Sequence, residues 1–121
     1  MSFSIDISKF AKKTNSSLDE ACRAIKISLF NSIIMDTRVK TGRLRGNWQT
    51  STGSPITDSS LIRRDPSGSE TTREVEQKVT GIGTVDYFTN NLPYAEVWEE
   101  KDGMMSKNLA RISRIVRESV R

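Results

Sequence analysis

The chain has 121 residues, of which 35% are apolar and 28% charged, which predicts a single domain with a small core and a large polar surface. It contains no His, so the usual base near neutral pH and the commonest metal ligand are both missing. Its single Cys excludes an internal disulfide. The net charge of +4 is unevenly placed: residues 1–64 hold 11 Lys/Arg and 5 Asp/Glu, residues 65–102 hold 3 and 9, and residues 103–121 hold 5 and 1. A basic, acidic, basic order suits a protomer that meets copies of itself head to tail better than a simple nucleic-acid binder.

No stretch approaches the roughly 18 apolar residues of a membrane span, and Met1 to Asp6 lacks a signal pattern, so the expected site of synthesis is the cytosol, with no membrane partner. From Phe10 a helical lead-in is expected. Ser17-Leu18-Asp19-Glu20 then reads as a capping box that starts a helix running to about Asp36, on the order of 28 Å long. Leu18, Cys22, Ile25, Leu29 and Ile33, widened by Ala21, Phe30 and Ile34, recur at helical spacing and form its core stripe. Cys22 is accordingly read as a buried small hydrophobe and not as a reactive thiol.

A turn at Gly42 leads into Leu44 to Thr52, whose alternation predicts a half-buried strand anchored by Trp48, with Arg43 and Arg45 pointing outward. Residues 51–72, rich in Ser, Thr, Gly, Pro and Asp, are expected to form a long loop of the kind that acts as a functional arm or orders on binding. Val75 and Val79 with Gln77 between them predict a second strand over Glu74 to Ile82. Gly81-Ile82-Gly83 would turn that strand into a third over Thr84 to Thr89. Pro93 suits the first turn of a short helix from Leu92 to Glu100, capped by Asn90 or Asn91. After Gly103, residues 105–120 predict an amphipathic helix with Met105, Leu109, Ile112, Val116 and Val120 on one side and Lys107, Arg111, Arg114, Arg117 and Arg121 on the other.

None of these segments assembles a catalytic set. Thr41-Gly42-Arg43-Leu44-Arg45-Gly46 lacks the Gly-Lys-Ser/Thr ending that grips phosphate and magnesium. Glu96, Glu99, Glu100 and Asp102 form an acidic cluster without a calcium-loop pattern, better suited to a basic neighbour than to a metal. The Arg111, Arg114 and Arg117 face has the spacing to track phosphates but carries no interleaved aromatic for base stacking. No cofactor is expected.

Thr41-Gly42-Arg43-Leu44-Arg45-Gly46-Asn47-Trp48 after a helix, then Tyr87-Phe88 and Asn91-Leu92-Pro93-Tyr94-Ala95-Glu96 before Gly103-Met104 and a closing helix, resembles the neck or tail-completion proteins of long-tailed bacteriophages and prophages. That family typically carries Asp-Thr-Gly-x-Leu-Arg-x-Ser-Trp and Asn-x-x-Pro-Tyr-Ala-x-x-x-Glu. Here Lys40 stands where Asp is frequent, and Glu100-Lys101-Asp102 replaces a longer loop. The resemblance implies a single α+β domain over residues 1–121, with helices on a small antiparallel sheet. It also implies a ring, commonly of six copies, at the head-tail junction of the virion, assembled in the bacterial cytoplasm. Such a ring sits between the portal-side connector and the tail tube or its terminator, lets DNA pass through its lumen without reading sequence, and has no enzymatic activity. Within that reading, Glu96, Glu99 and Glu100 are expected to meet Arg43, Arg45 or the Arg111, Arg114 and Arg117 face of the next subunit. A tail terminator and a basic DNA-binding accessory protein are the alternatives.

Overall fold

A computed structural model of the chain describes residues 17–119. The expected lead-in from Phe10, together with Val120 and Arg121 on the last helix, lies outside the described residues. Within them the order is α1 (Leu18–Asp36), α2 (Arg43–Gly46), β1 (Trp48–Thr52), α3 (Ser69–Lys78), β2 (Asp86–Asn90), α4 (Ala95–Asp102) and α5 (Met104–Ser119). β1 and β2 pair antiparallel in a two-stranded sheet, with Trp48 opposite Asn90 and Thr52 opposite Asp86. The fold is a small α+β domain, as expected, with α3 packed on β1, α1 against α3 and α5, and Phe30 of α1 stacked on Phe88 of β2.

The capping box starts α1. The Ser17 hydroxyl accepts from the Glu20 amide at 3.1 Å and lies 3.0 Å from the Glu20 carboxylate. Ala21, Ile25, Leu29, Phe30, Ile33 and Ile34 are buried along its stripe, whereas Leu18 is 42% exposed and Cys22 only half-buried, its Sγ 3.8 Å from the Gly81 carbonyl. The chain opposite this first turn is the loop after α3, whose Ile82 amide donates to Asp19 at 2.9 Å. Against this stripe pack Val75 and Val79, then Met104, Ile112 and Val116 of the last helix. A three-ring stack holds the sheet to α1: Phe88 lies between Phe30, at 4.4 Å, and Trp48, at 4.7 Å, with all planes within 8° of parallel.

The structure corrects three expectations of local structure. Residues 69–78 are a helix and not part of a strand, because Thr71, Val75 and Val79 recur every four residues. A spacing of four satisfies both a period of 2 and one of 3.6, and the good helix formers Glu70, Arg73, Glu74, Glu76, Gln77 and Lys78 decide between them. With that helix in place, the expected hairpin through Gly81-Ile82-Gly83 does not form, and the last strand pairs with β1 instead. The first strand is also shorter than expected: Arg43–Gly46 is one helical turn, launched by Gly42 at φ 84°, with the Arg43 amide donating to the Thr41 hydroxyl.

The loop after β1 ends at Gly68, since Ser69 to Thr72 belong to α3, and it is tied down at several points. Asn91 donates to the carbonyls of Ile56 and Asp58, and the Asp65 amide donates to the Gly42 carbonyl at 3.0 Å. The last helix keeps its basic outer side, but its buried strip is Met104, Asn108, Ile112 and Val116, with Met105 and Leu109 only half-buried. α4 and α5 are divided by Gly103, which takes φ 63° as expected of a helix end.

Candidate functional site

Two sequence segments separated by some forty residues meet in space. The Asn90 amide donates to the Leu44 carbonyl at 2.8 Å and its oxygen accepts from the Leu92 amide, while Leu44, Leu92 and Ala95 form a small apolar cluster with Trp98 against it. Asn90 therefore couples the first motif to the turn that starts α4. Tyr94, not an Asn side chain, occupies the helix-capping position.

Behind this junction the chain spends charge on its own backbone. Arg45 donates to the carbonyls of Pro66, Met35 and Thr37 at 2.6, 3.0 and 2.9 Å, so it points inward as a staple between α1 and the loop, contrary to expectation. Arg63, which carried no signal in the sequence beyond its charge, donates to the Gly46 and Trp48 carbonyls and pairs with Glu74 at 2.6 Å. Glu74 in turn accepts from the Thr50 amide at 2.9 Å. Together they occupy the Trp48 carbonyl and the Thr50 amide on the outer edge of β1 and blunt it as a template for another strand. A Cβ at Gly46 would collide with the Arg63 carbonyl, so the glycine is required for this close approach.

Two buried carboxylates hold the remaining turns. Asp65, 4% exposed, accepts from the amide and hydroxyl of Thr71 at 2.8 and 2.7 Å, capping α3. Burial alone would raise its pKa, but those hydrogen bonds and the nearby Arg63 outweigh burial and hold it below the ordinary value. Asp86 accepts from Lys26, Thr52 and Thr80, and its pKa is likewise lowered against the opposing effect of burial. Lys26 also donates to the carbonyls of Thr80, Gly81 and Thr84, gathering the loop before β2 around α1.

On the front of the junction the same segments leave charge unpaired. A groove of about 620 Å³ is bordered by Arg38, Lys40, Arg43 and Arg64, with Tyr94 and Trp98 as its aromatic wall. Arg38 forms a bidentate pair with Asp102 at 2.8 Å and lies 3.7 Å above the Trp98 ring. That pairing raises the Arg38 pKa and lowers that of Asp102. Lys40 and Arg64 are exposed, and neither they nor the Arg43 side chain finds a partner among the described residues; Arg43 Nε is buried without an acceptor.

The expected acidic cluster divides. Glu99 turns back to accept from the Met105 amide at 2.6 Å and so caps α5, and Asp102 is spent on Arg38. Of this cluster, Glu96 and Glu100 remain exposed and without partners among the described residues. On α5, Arg111 donates to Asn108 at 2.7 Å, and Asn108 is itself anchored to Asp36, while Arg114 and Arg117 are exposed beside a shallow cleft of about 500 Å³. Among the described residues no three His, Cys, Asp or Glu side chains gather in a way that could hold a metal ion, and no helix is long and apolar enough to cross a membrane.

No family model matches the chain, and comparison with curated proteins and with solved structures gives no match.

Proposed function

We propose that this chain is a structural virion protein that assembles as a ring, commonly of six copies, at the head-tail junction of a long-tailed phage, joining the portal-side connector to the tail. The observation that carries the reading is the convergence of the two resembling motifs on one junction, in which Asn90 holds Leu44 and the surrounding surface offers unpaired charge instead of a reacting centre. A surface of that kind suits association and not turnover, so no enzymatic activity and no cofactor are proposed. Its neighbours would be further copies of itself, the connector, and the tail tube or its terminator, with DNA passing through the lumen.

Mixing the purified protein with connector-bearing heads and imaging the product tests the reading. Rings at the connector are the expected result. Capping of isolated tail tubes in place of head binding would move the assignment to a tail terminator. One observation favours a different class: Arg114 and Arg117 line an open cleft with Lys107, as a phosphate-tracking helix would. Strongly salt-dependent retardation of duplex DNA by a monomer that ignores heads would establish that DNA-binding alternative.

A further inference from the structure

We infer that the groove bordered by Lys40, Arg43 and Arg64 receives the Glu96/Glu100 side of α4 from a second copy of this chain. The inference rests on the assembly reading above and specifies which surfaces meet. The capping residue Tyr94 and Trp98 of α4, four residues apart, face the groove. Glu96 and Glu100 are also one turn apart but displaced from that pair by two residues, roughly 200° around the helix axis. The basic groove and the acidic side therefore lie on opposite flanks of one short helix.

Both flanks are unfinished among the described residues. The groove has three cationic side chains without a partner among the described residues, one of them with a buried orphan donor. The other flank has two exposed carboxylates without donors among the described residues. Apolar surface is matched as well, with Val97 46% exposed between the two glutamates and Val39 and Tyr94 42% and 37% exposed at the groove. Because the two surfaces differ and face apart, the contact is heterologous: each copy gives its glutamates to one neighbour and its groove to another, a geometry that closes into a ring when the rotation allows. Single-stranded nucleic acid fits the groove less well, since the Trp98 face that a base would stack on is already covered by Arg38.

Two neutralised proteins test this by sedimentation velocity, alongside the unaltered chain and with circular dichroism as a folding control. One carries Arg43→Gln with Arg64→Gln, the other Glu96→Gln with Glu100→Gln. Each alone should remain monomeric where the unaltered chain assembles. Their equimolar mixture should stop at a one-to-one pair, joined through the single intact groove and the single intact acidic side. Lys40→Gln with Arg64→Gln, which touches only exposed side chains, should weaken assembly in the same direction and guards against a folding defect at Arg43. Neutralised proteins that assemble like the unaltered chain, or a mixture that stays monomeric, would overturn the pairing while leaving self-association standing. An unaltered chain that remains monomeric at every concentration and on connector-bearing heads would overturn both. Retardation of a single-stranded oligonucleotide that is lost with Arg43→Gln and Arg64→Gln would reassign the groove to nucleic acid.

Discussion

Arg45 and Arg43 stand two residues apart in one helical turn, yet they belong to different regions of the molecule. Arg45 reaches back to three carbonyls and joins Arg63, Asp65 and Asp86 in a layer where every charge closes a loop or a strand edge. Arg43 faces the front groove, where Lys40 and Arg64 also lack partners among the described residues. The inner layer spends charge on folding and the outer one leaves it for association, so substitutions should separate the two regions by what they damage.

The sharpest break comes from the hub that both regions share. Trp48→Ala removes one ring of the stack and the 2.8 Å hydrogen bond from Nε1 to Thr37, and should cost about 3–5 kcal/mol in chemical denaturation. A loss below about 1 kcal/mol would mean that the stack is not what holds the sheet to α1. Arg63→Ala comes next, at about 3 kcal/mol, because it takes the closest cation from Glu74, in a pair whose two side chains are each only 16% exposed, and uncovers the edge of β1, leaving Glu74 the Thr50 amide and Lys78 at 3.9 Å. If Arg63→Ala instead leaves stability intact and impairs only assembly, Arg63 belongs with the outer region.

Acid should erode the inner layer more than the outer. Asp65 and Asp86 are more acidic in the fold than in the unfolded chain, so the unfolded chain binds more protons as the solution is acidified. The stability they contribute is complete above the ordinary carboxylate range, near about pH 4, and is lost as pH falls through their lowered folded values. Thermal melts from neutral to acid pH should show this, with Asp65→Asn flattening part of the dependence. An unaltered slope in that variant would mean that Asp65 gains nothing from Thr71. The smallest effect on folding belongs to the groove: Lys40→Gln with Arg64→Gln should change stability by no more than about 0.5 kcal/mol, read from the same melts, since both side chains are exposed.

How much of this was legible depended on the range of the interaction. The capping box, the α1 stripe, the turns at Gly42 and Gly103 and the anchoring role of Trp48 follow from spacing and from residue chemistry within a few positions. Residues 69–78 differ from expectation because Val75 and Val79 fit either period, and the helix formers around them, together with packing against α1 and β1, select the helix. At the candidate site, the charges of Arg43, Glu96 and Glu100 were visible as candidates. Which of their neighbours would be consumed internally was not, since Arg45 and Glu99 look the same in sequence as the side chains left free.

The sequence by itself determined a small one-domain core, the helical stripes and the two motifs, because these rest on local periodicity and on conformations that few residue types adopt. Tertiary structure alone decided that β1 pairs with β2, that Arg63 bonds along the strand edge and that a basic groove from other segments lies on the side of α4 away from Glu96 and Glu100. Those outcomes depend on groups distant in the chain meeting at hydrogen-bonding distance, and a charge shows whether it is paired or available only once its neighbours in space are fixed.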